Sequence, residues 1–419
     1  MAPLARAFIG DYMTRPYFQA YASALNRATA ASAAASPRDD AGFTLVHWRN
    51  VGMTSIMLFC RDPSAVLSLQ SSDVGFGPGD MANKGAVGVR VVMEKRGAQG
   101  ESSHTEMTFV SAHLAAMEWN LDKRNKNWQA IVSGLLFEDP KKRLAAPSLT
   151  GTSPTQGPDS ETEGLLGQDS REAAMQAISI YKPGSHLFVA GDLNYRISET
   201  SPGPDSDFPD LDPESPNDYK RFLAQDQLAA EMAAGRTLHG MSEAEIAFPP
   251  TYKLEWQEEQ QSRPGDQADC PDTPLWTWAR HRWPGWCDRV LYLDIPQWVR
   301  RRPGLARAEM NVIAYDSLPP VRTSDHRAVF LRLAVPVLSP EALAPPDTVS
   351  SSETMDPRVR LPYPIDPQAW EHRRFVKKWE AAIGWSMLVS ESKRSFAFVA
   401  TLLLVGLSAW WLRSAYGST

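Results

Sequence analysis

The sequence predicts a large mixed α/β domain in which antiparallel or mixed sheets are covered by helices. The chain has 419 residues, of which 43% are hydrophobic, enough for one large enzyme domain plus an appendage. Short β-like runs also alternate with helical ones along the sequence. The predicted strands are Thr44–Trp48, Ser55–Cys60, Ala86–Val92, Glu106–Ser111, Ser185–Ala190, Cys287–Leu293 and Ala328–Leu333, and the predicted helix is Asp122–Leu136.

The charge balance narrows the classes of ligand. Lys and Arg number 43 against 49 Asp and Glu, a formal net charge of −6, which excludes a uniformly basic surface that coats nucleic acid. Any anionic ligand must therefore be bound by a local group of cations. The three cysteines, Cys60, Cys270 and Cys287, form no Cys-x-x-Cys pair, so neither a disulfide framework nor a structural zinc site is supported.

Composition divides the chain into a catalytic domain and a C-terminal appendage. We expect the catalytic domain over 1–335, with disordered insertions at about 139–170 and 201–216, where large apolar residues are rare. A linker rich in Pro, Ser and acidic residues follows at 336–370. A basic segment at 371–395 would then contact anionic lipid or form an ordinary solvated helix.

The C-terminal segment Phe396–Leu412 has seventeen residues without a charge. As a helix it would be roughly 26 Å long, against a hydrocarbon core of about 30 Å. A transmembrane tail anchor and a buried helix are both open, and Trp410 and Trp411 favour the anchor. An anchor preceded by basic residues predicts a single-pass membrane protein with a cytosolic catalytic domain, and the short span favours the endoplasmic reticulum.

Polar side chains follow three predicted strands. His113 comes after TFVSA, Asp192 and Asn194 lie in LFVAGDLN, and Asp325 and His326 precede the strand AVFLRL. Each cluster alone is an ordinary loop histidine or turn cap. Strand ends hold side chains on rigid supports, so together the three clusters predict one shared cleft.

Two histidines, two or more carboxylates and an amide suit the hydrolysis of a phosphate ester. One side chain must deprotonate an attacking water while others neutralise charge on the phosphoryl oxygens. Asp325 is placed to orient His326 if the loop after Thr323 bends. The carboxylates are hard oxygen ligands of the kind Mg²⁺ prefers, whereas zinc favours more His and Cys.

These residues belong to six sequence blocks that occur in one order. The blocks are Asn83–Val87, Ser111–Ala115 with Glu118, Asn120, Arg124 and Asn125, Gly191–Ile197, Phe248–Lys253, Pro284–Leu291 and Ser324–Arg327. In these blocks the chain resembles the inositol polyphosphate 5-phosphatases, in a fungal-type version. The resemblance implies the endonuclease/exonuclease/phosphatase fold, a four-layer β-sandwich flanked by helices.

The resemblance also implies roles for individual residues. His326 would activate the attacking water, oriented by Asp325 and helped by Asp192, while Asn194 and His113 would stabilise the pentacovalent phosphoryl group. Supporting positions would be Asn83, Asn125, Asp288 and Arg289. The remaining ring phosphates would be bound by Lys84, Arg196, Tyr252, Lys253, Arg280 and Arg282, although the last two also fit a solvated basic loop.

The metal site is the point at which the sequence departs from the family pattern. The family carries an Mg²⁺-binding Glu in a Gln-Glu pair upstream of these blocks, and no such pair occurs near Met1. The metal ligands are therefore unassigned, and we expect N-terminal strands of the family to be missing. Two functions are open: an Mg²⁺-dependent phosphatidylinositol 4,5-bisphosphate 5-phosphatase acting on a phosphoinositide lipid, and an inactive phosphoinositide-binding membrane protein.

Overall fold

A computed structural model of the chain describes residues 2–35, 42–81, 83–96, 102–145, 170–257, 276–349, 354–391 and 393–416. The strands are β1 Thr44–Val51, β2 Thr54–Cys60, β3 Val66–Gly75, β4 Gly85–Arg96, β5 Ser102–His113, β6 Ser185–Asp192, β7 Met241–Glu243, β8 Leu254–Trp256, β9 Trp276–Trp278, β10 Asp288–Leu293, β11 Asn311–Ser317 and β12 Val329–Ala334. The helices are α1 Ala2–Ile9, α2 Asp11–Ala35, α3 Leu121–Gly134, α4 Pro140–Ala145, α5 at 170–178, α6 Tyr219–Leu223, α7 Gln227–Ala233, α8 Gln297–Arg300, α9 Pro340–Leu343, α10 Ala369–Glu391 and α11 Lys393–Tyr416.

Six strands form the main sheet, in the order β3-β4-β5-β6-β10-β7. Only β5 and β6 run parallel, and the other neighbours are antiparallel. The valines of β4, such as Val87 and Val91, are buried along the strand because the sheet is covered on both faces there. The mixed α/β class and the predicted strands are therefore confirmed.

Helix α3 covers one face of the main sheet. Trp128 and Ile131 of this helix, and Leu135 directly after its last residue, pack with Val110 of β5 and Val189 of β6 in the largest core cluster. Apolar residues at i, i+3 and i+7 put these side chains on one face of the helix. This helix matches the predicted Asp122–Leu136 within two residues at either end.

The other face of the main sheet is covered by two separate hairpins, β1–β2 and β11–β12. The first turns at Gly52, whose φ of 51° lies in the left-handed region. Strand β2 contacts β4 and β5, and β12 contacts β10. Between the hairpins lies an apolar cavity of about 550 Å³, whose lining includes Phe109, Phe188 and Leu331.

Two segments predicted to be unstructured are packed instead. Within 336–370, Leu338 and Leu343 are buried in a small core with Ile295 and Val299, because two leucines in a polar stretch suffice to dock it. Within 201–216, Phe208 stacks on Trp283 with ring centroids 5.5 Å apart. Of the insertion predicted at 139–170, α4 and the start of α5 are described, and 146–169 lies outside the described residues.

The predicted transmembrane tail anchor is wrong. None of the helices in the described ranges is long and apolar enough to cross a membrane. The uncharged run in α11 is seventeen residues and includes Thr401, Gly406, Ser408 and two tryptophans, so it falls short of the about 20 predominantly apolar residues that a span needs. The predicted localisation as a single-pass protein of the endoplasmic reticulum membrane, with a cytosolic catalytic domain, depends on that anchor and is wrong for the same reason.

Candidate active site

One row of residues crosses the main sheet at the end of its strands. Gly75 of β3 is paired with Gly85 of β4, and Gly85 with His113 of β5. In turn His113 is paired with Asp192 of β6, and Asp192 with Asp288 of β10. Because paired residues on neighbouring strands are about 5 Å apart and face the same side, three titratable side chains are brought together from three strands.

His113 lies between a carboxylate and an ammonium group. Its Nε2 is 3.0 Å from Asp192 Oδ2 and also contacts the Lys84 ammonium group. Lys84 immediately precedes β4, and Gly85, the next residue, is paired with His113 of β5. Both His113 and Asp192 stay partly exposed, at 30% and 19% of their side chains, so a substrate can reach them.

His326 comes from the loop before β12 and pairs with an acid of the main sheet. Its Nδ1 is 2.8 Å from Asp288 Oδ2, which also accepts a hydrogen bond of 2.7 Å from the Thr251 hydroxyl. Asp325, which we predicted to orient this ring, instead pairs with Lys253 at 2.6 Å. Successive residues point in different directions here, so Asp325 faces away while Asp288 takes its place beside the imidazole.

The pKa values of Asp192 and Asp288 are shifted in opposite directions. For Asp192, burial favours the neutral form, but the hydrogen bond and charge of His113 outweigh it and the pKa is lowered. Burial raises the pKa of Asp288, and the Asp192 charge adds to this, against the opposing effect of His326. Burial opposes the charge of His326, yet the hydrogen bond to Asp288 prevails and its pKa is raised. The site therefore holds an acid and an imidazole poised for proton transfer.

The floor of the site is made of residues that we predicted to contact the substrate. Asn194 is 2% exposed, its amide donates to Leu114 O at 3.2 Å, and its Oδ1 accepts from Arg196 at 2.5 Å. Arg196 is also 2% exposed, and its guanidinium lies 4.5 Å from the centre of the Tyr252 ring. Both side chains are thus buried beneath the cleft, where they fix its shape and face no solvent.

The Tyr252 ring lies between Arg196 on the floor of the site and His326. Its centroid is 4.6 Å from that of His326, and its backbone bridges both His326 and Gly285. Lys253, the next residue, points its ammonium group into the partly exposed rim. The Pro-Thr-Tyr-Lys block therefore supplies Thr251, Tyr252 and Lys253 to three different parts of the site.

Arg280 and Arg282 lie on the loop after β9 and are placed differently. Arg280 is exposed and stacks on the Phe208 ring at 4.6 Å. Arg282 Nη2 is 3.1 Å from Met117 Sδ, and its Nη1 is 3.8 Å from Glu118. Glu118 is fully buried, and its carboxylate accepts no hydrogen bond from any residue in the described ranges. No role was predicted for Glu118 from the sequence, although it stands in the same block as His113.

The four residues that we predicted to support the site lie in different surroundings. Arg289 is buried and forms ion pairs with Asp226 at 2.9 Å and Glu243 at 2.5 Å. Asn125 of α3 hydrogen bonds to Glu231 at 2.7 Å and to the Tyr195 hydroxyl at 2.8 Å. Asn83 is exposed in the turn before Lys84. Asp288 alone of the four lies in the cleft, against His326.

The described residues do not form a metal site. Nowhere in those ranges are three or more His, Cys, Asp or Glu side chains arranged so that they could hold a metal ion. Asp192 and Asp288 are each engaged by an imidazole, and Glu118 faces an arginine, so these residues do not fit a Mg²⁺ coordination shell of oxygen ligands.

The structure is a mixed sheet covered by a helix on one face and hairpins on the other, with two His–Asp pairs at its strand ends, and sequence comparison identifies the family. The family described as Endonuclease/Exonuclease/phosphatase family 2 matches residues 7–332. The chain therefore belongs to this family, whose phosphatases are typically dependent on a divalent metal. The recognition of the inositol polyphosphate 5-phosphatases from sequence is confirmed.

Curated relatives carry the names of inositol phosphatases. The chain is 30% identical, over 61% of its length, to type II inositol polyphosphate 5-phosphatase 15 of Arabidopsis thaliana. It is 27% identical, over 66% of its length, to inositol-1,4,5-trisphosphate 5-phosphatase 1 of Schizosaccharomyces pombe. These matches cover only 20% and 18% of the relatives, so the chain spans about a fifth of their length.

Among solved structures, the chain is similar to the inositol polyphosphate 5-phosphatase domain of SPsynaptojanin in complex with inositol (1,4)-bisphosphate and calcium ion. The TM-score is 0.44 and the identity 23%, over 71% of this chain and 64% of that one.

Proposed function

We propose that the chain is a phosphoric monoester hydrolase that removes the 5-phosphate from a phosphoinositide, with phosphatidylinositol 4,5-bisphosphate as substrate. The observation that carries the proposal is the convergence of the His113–Asp192 and His326–Asp288 pairs at one edge of the sheet. The relatives named as 5-phosphatases support the choice of phosphate.

In the proposed mechanism His326 acts on the attacking water. Because its Nδ1 faces Asp288, Nδ1 carries the proton in the neutral ring and Nε2 is free to accept one. The water oxygen forms a bond to phosphorus as its proton moves to Nε2. The bond from phosphorus to the inositol oxygen breaks, and that oxygen leaves with the electron pair. The proton then passes through solvent to the leaving oxygen, which restores neutral His326.

Cations at the rim would hold the negative charge of the substrate. Each phosphate carries close to two negative charges, and the chain as a whole has a net charge of −6, so binding must rely on local cations. Lys84 contacts His113, where the transferred phosphoryl group would lie, and burial lowers the pKa of Lys84 although Asp192 partly offsets this. Lys253 and Arg282 are placed at the rim to bind the remaining ring phosphates.

Phosphate release from phosphatidylinositol 4,5-bisphosphate vesicles tests the proposal. H326A should lower kcat at least about 100-fold, because general base catalysis typically supplies that much. The matched control is H372A, since His372 also pairs with an acid, Asp80 at 2.7 Å, but lies exposed on α10. Equal rates for the two variants would overturn the mechanism, and release of phosphate from phosphatidylinositol 4-phosphate would overturn the choice of the 5-phosphate.

The Mg²⁺ dependence implied by the resemblance stays a prediction. Adding a chelator and then Mg²⁺ to the same assay should abolish and restore phosphate release. The second candidate function is an inactive phosphoinositide-binding protein, and it is supported by the engagement of Asp192 and Asp288 by imidazoles. Binding of the vesicles without phosphate release at any Mg²⁺ concentration would support that function over the enzyme.

A further inference from the structure

A second group of charges lies away from the cleft, where α10 packs on the edge strand β3. At its centre Asp73 has a fully buried side chain. Asp73 accepts hydrogen bonds from Arg49 Nε at 2.7 Å, Arg373 Nε at 2.5 Å and Lys377 Nζ at 2.7 Å. Three cations from β1 and α10 thus meet on one carboxylate.

The cations at this place outnumber the acids. Glu380 of α10 adds a second carboxylate, which accepts from Arg373 at 2.9 and 3.0 Å. Arg374 adds a fourth cation; it is exposed, and its guanidinium lies 5.6 Å from the centre of the Trp370 ring. In the part of the chain that the structure describes, Arg374 has no hydrogen bond or ion pair. Four cations therefore face two carboxylates.

A cavity opens directly onto the surplus cations. Its volume is about 230 Å³. Its polar lining consists of Arg49, Ser71, Ser72, Arg373, Arg374 and Lys377 together with the Asp73 carboxylate, which three of these cations already neutralise. Ligand pockets for whole small molecules begin at about 300 Å³, so this one suits a single charged group. The serine hydroxyls can donate to an anion, and the arginine forks match tetrahedral oxyanions.

The titration of Lys377 reflects the same excess of positive charge. Burial lowers its pKa, and the charge of Asp73 acts in the opposite direction. Arg49 and Arg373 lower the pKa further because like charges repel. The two carboxylates therefore leave the cations of this group repelling one another.

We propose that the cavity between α10 and β3 binds a phosphate group, as an anion site separate from the His113 and His326 cleft. A phosphate carries about two negative charges at neutral pH, which matches the surplus of two cations. The group would join α10 to both layers, because Arg374 and Lys377 belong to the helix, Arg49 to β1 and Ser71 to β3. Binding of phosphate should therefore stabilise the docked helix, by an amount that grows with the logarithm of the phosphate concentration once this exceeds Kd.

Inorganic phosphate binding to the full chain tests this site. The background variant is K253A/R282A, which removes two cations of the cleft, and calorimetry measures the binding that remains. In this background R374A should weaken phosphate binding at least about tenfold, the loss expected for one bidentate charged contact. The matched control is K378A, since Lys378 is an exposed cation of the same helix that does not line the cavity; it should change binding less than twofold.

Two further measurements secure the result. R374K should bind with intermediate affinity, because it keeps the charge and loses the fork. Melting temperatures in chloride at equal ionic strength show that each variant is folded, and phosphate should raise the melting temperature of K378A more than that of R374A. Equal phosphate affinities for R374A and K378A, or no binding in the K253A/R282A background, would overturn the proposal and leave the 5-phosphatase proposal intact.

The same variants identify the source of the phosphate group. Phosphatidylcholine vesicles containing phosphatidylinositol 4-phosphate should displace inorganic phosphate from K253A/R282A if the group belongs to a lipid headgroup. A soluble inositol monophosphate should displace it where the vesicles do not, if the group belongs to a free ester. Displacement that R374A does not weaken would count against the site in either case.

Discussion

The main sheet and the hairpin layer that covers it are built very differently. In the main sheet, six strands pair edge to edge, and Val87, Val91 and Val189 are buried completely. In the hairpin layer, β1–β2 and β11–β12 pair only within themselves, and Ile313 and Phe330 are 52% and 39% exposed. Stability therefore lies in the main sheet, while the cleft lies where the two layers meet.

A substitution in the main sheet should give the largest effect. Gly191 has a φ of 143°, and an added Cβ would lie 2.0 Å from Ala112 O. G191A should lower the free energy of unfolding by about 3 kcal/mol or more, since backbone strain and a main-chain clash add. Urea unfolding measures it, with G203A as control, because the nearest atom there is a side-chain oxygen at 3.8 Å. Equal stability of the two variants would contradict the comparison.

Two neighbouring residues of β6 allow the two faces of the main sheet to be tested separately. Val189 is fully buried against α3, whereas Phe188 lines the cavity beneath the hairpins and is partly exposed. V189A should cost about 2 kcal/mol. F188A removes a larger side chain but should cost only about 1 kcal/mol, because much of that ring is already in contact with solvent or the cavity. A larger loss for F188A, measured by urea unfolding, would mean that the cavity face is packed.

The pair Asp288–His326 joins the two layers and should give a pH-dependent effect. Despite burial, Asp288 raises the folded pKa of His326 above its ordinary value of 6.5. The stability that this adds is complete below pH 6.5 and is lost as the pH rises through the folded pKa. D288N should therefore cost about 1 kcal/mol at pH 5.5 and less at pH 9. D80N is the control, since Asp80 pairs with the exposed His372 at 2.7 Å, away from His326. Unfolding curves at several pH values measure both variants, and a loss that grows with pH would contradict the assignment.

A substitution in the hairpin layer should give the smallest effect. Val312 of β11 is 37% exposed, so V312S should change the free energy of unfolding by less than about 0.5 kcal/mol. Thermal unfolding beside V189A checks this. A loss as large as that of V189A would show that the hairpin layer shares the stability of the main sheet.

Sequence reasoning found the elements whose signal is local. Strands with regular apolar patterns and the helix α3 were predicted nearly to their ends, and the residues at strand ends were expected to converge. What it missed depends on tertiary contacts. Asp288 and His326 are 38 positions apart in sequence, and Tyr252 bridges to both His326 and Gly285. Glu118 is recognised only by its burial. The docking of α10 could not be predicted, because the sequence does not show that Asp73 is buried beneath the helix.

Apolar composition also misled where length and context decide the outcome. The run 396–412 suggested a span from its lack of charge, yet the helix that contains it is not apolar enough to cross a membrane. Similarly, the polar composition of 336–370 concealed Leu338 and Leu343, which dock the segment. Average composition does not show how a few apolar residues are placed.

The row from Gly75 to Asp288 has a consequence for how the protein acquires activity. Its members come from five strands spread from the first fifth to the last third of the chain, and a slip of one residue in any pairing would turn a side chain to the wrong face. A nascent chain still lacking β10 thus contains no working centre. Long-range contacts of this kind form late in folding. The rate of phosphate release would therefore report, more sharply than spectroscopy, that every strand pairing has reached its native alignment.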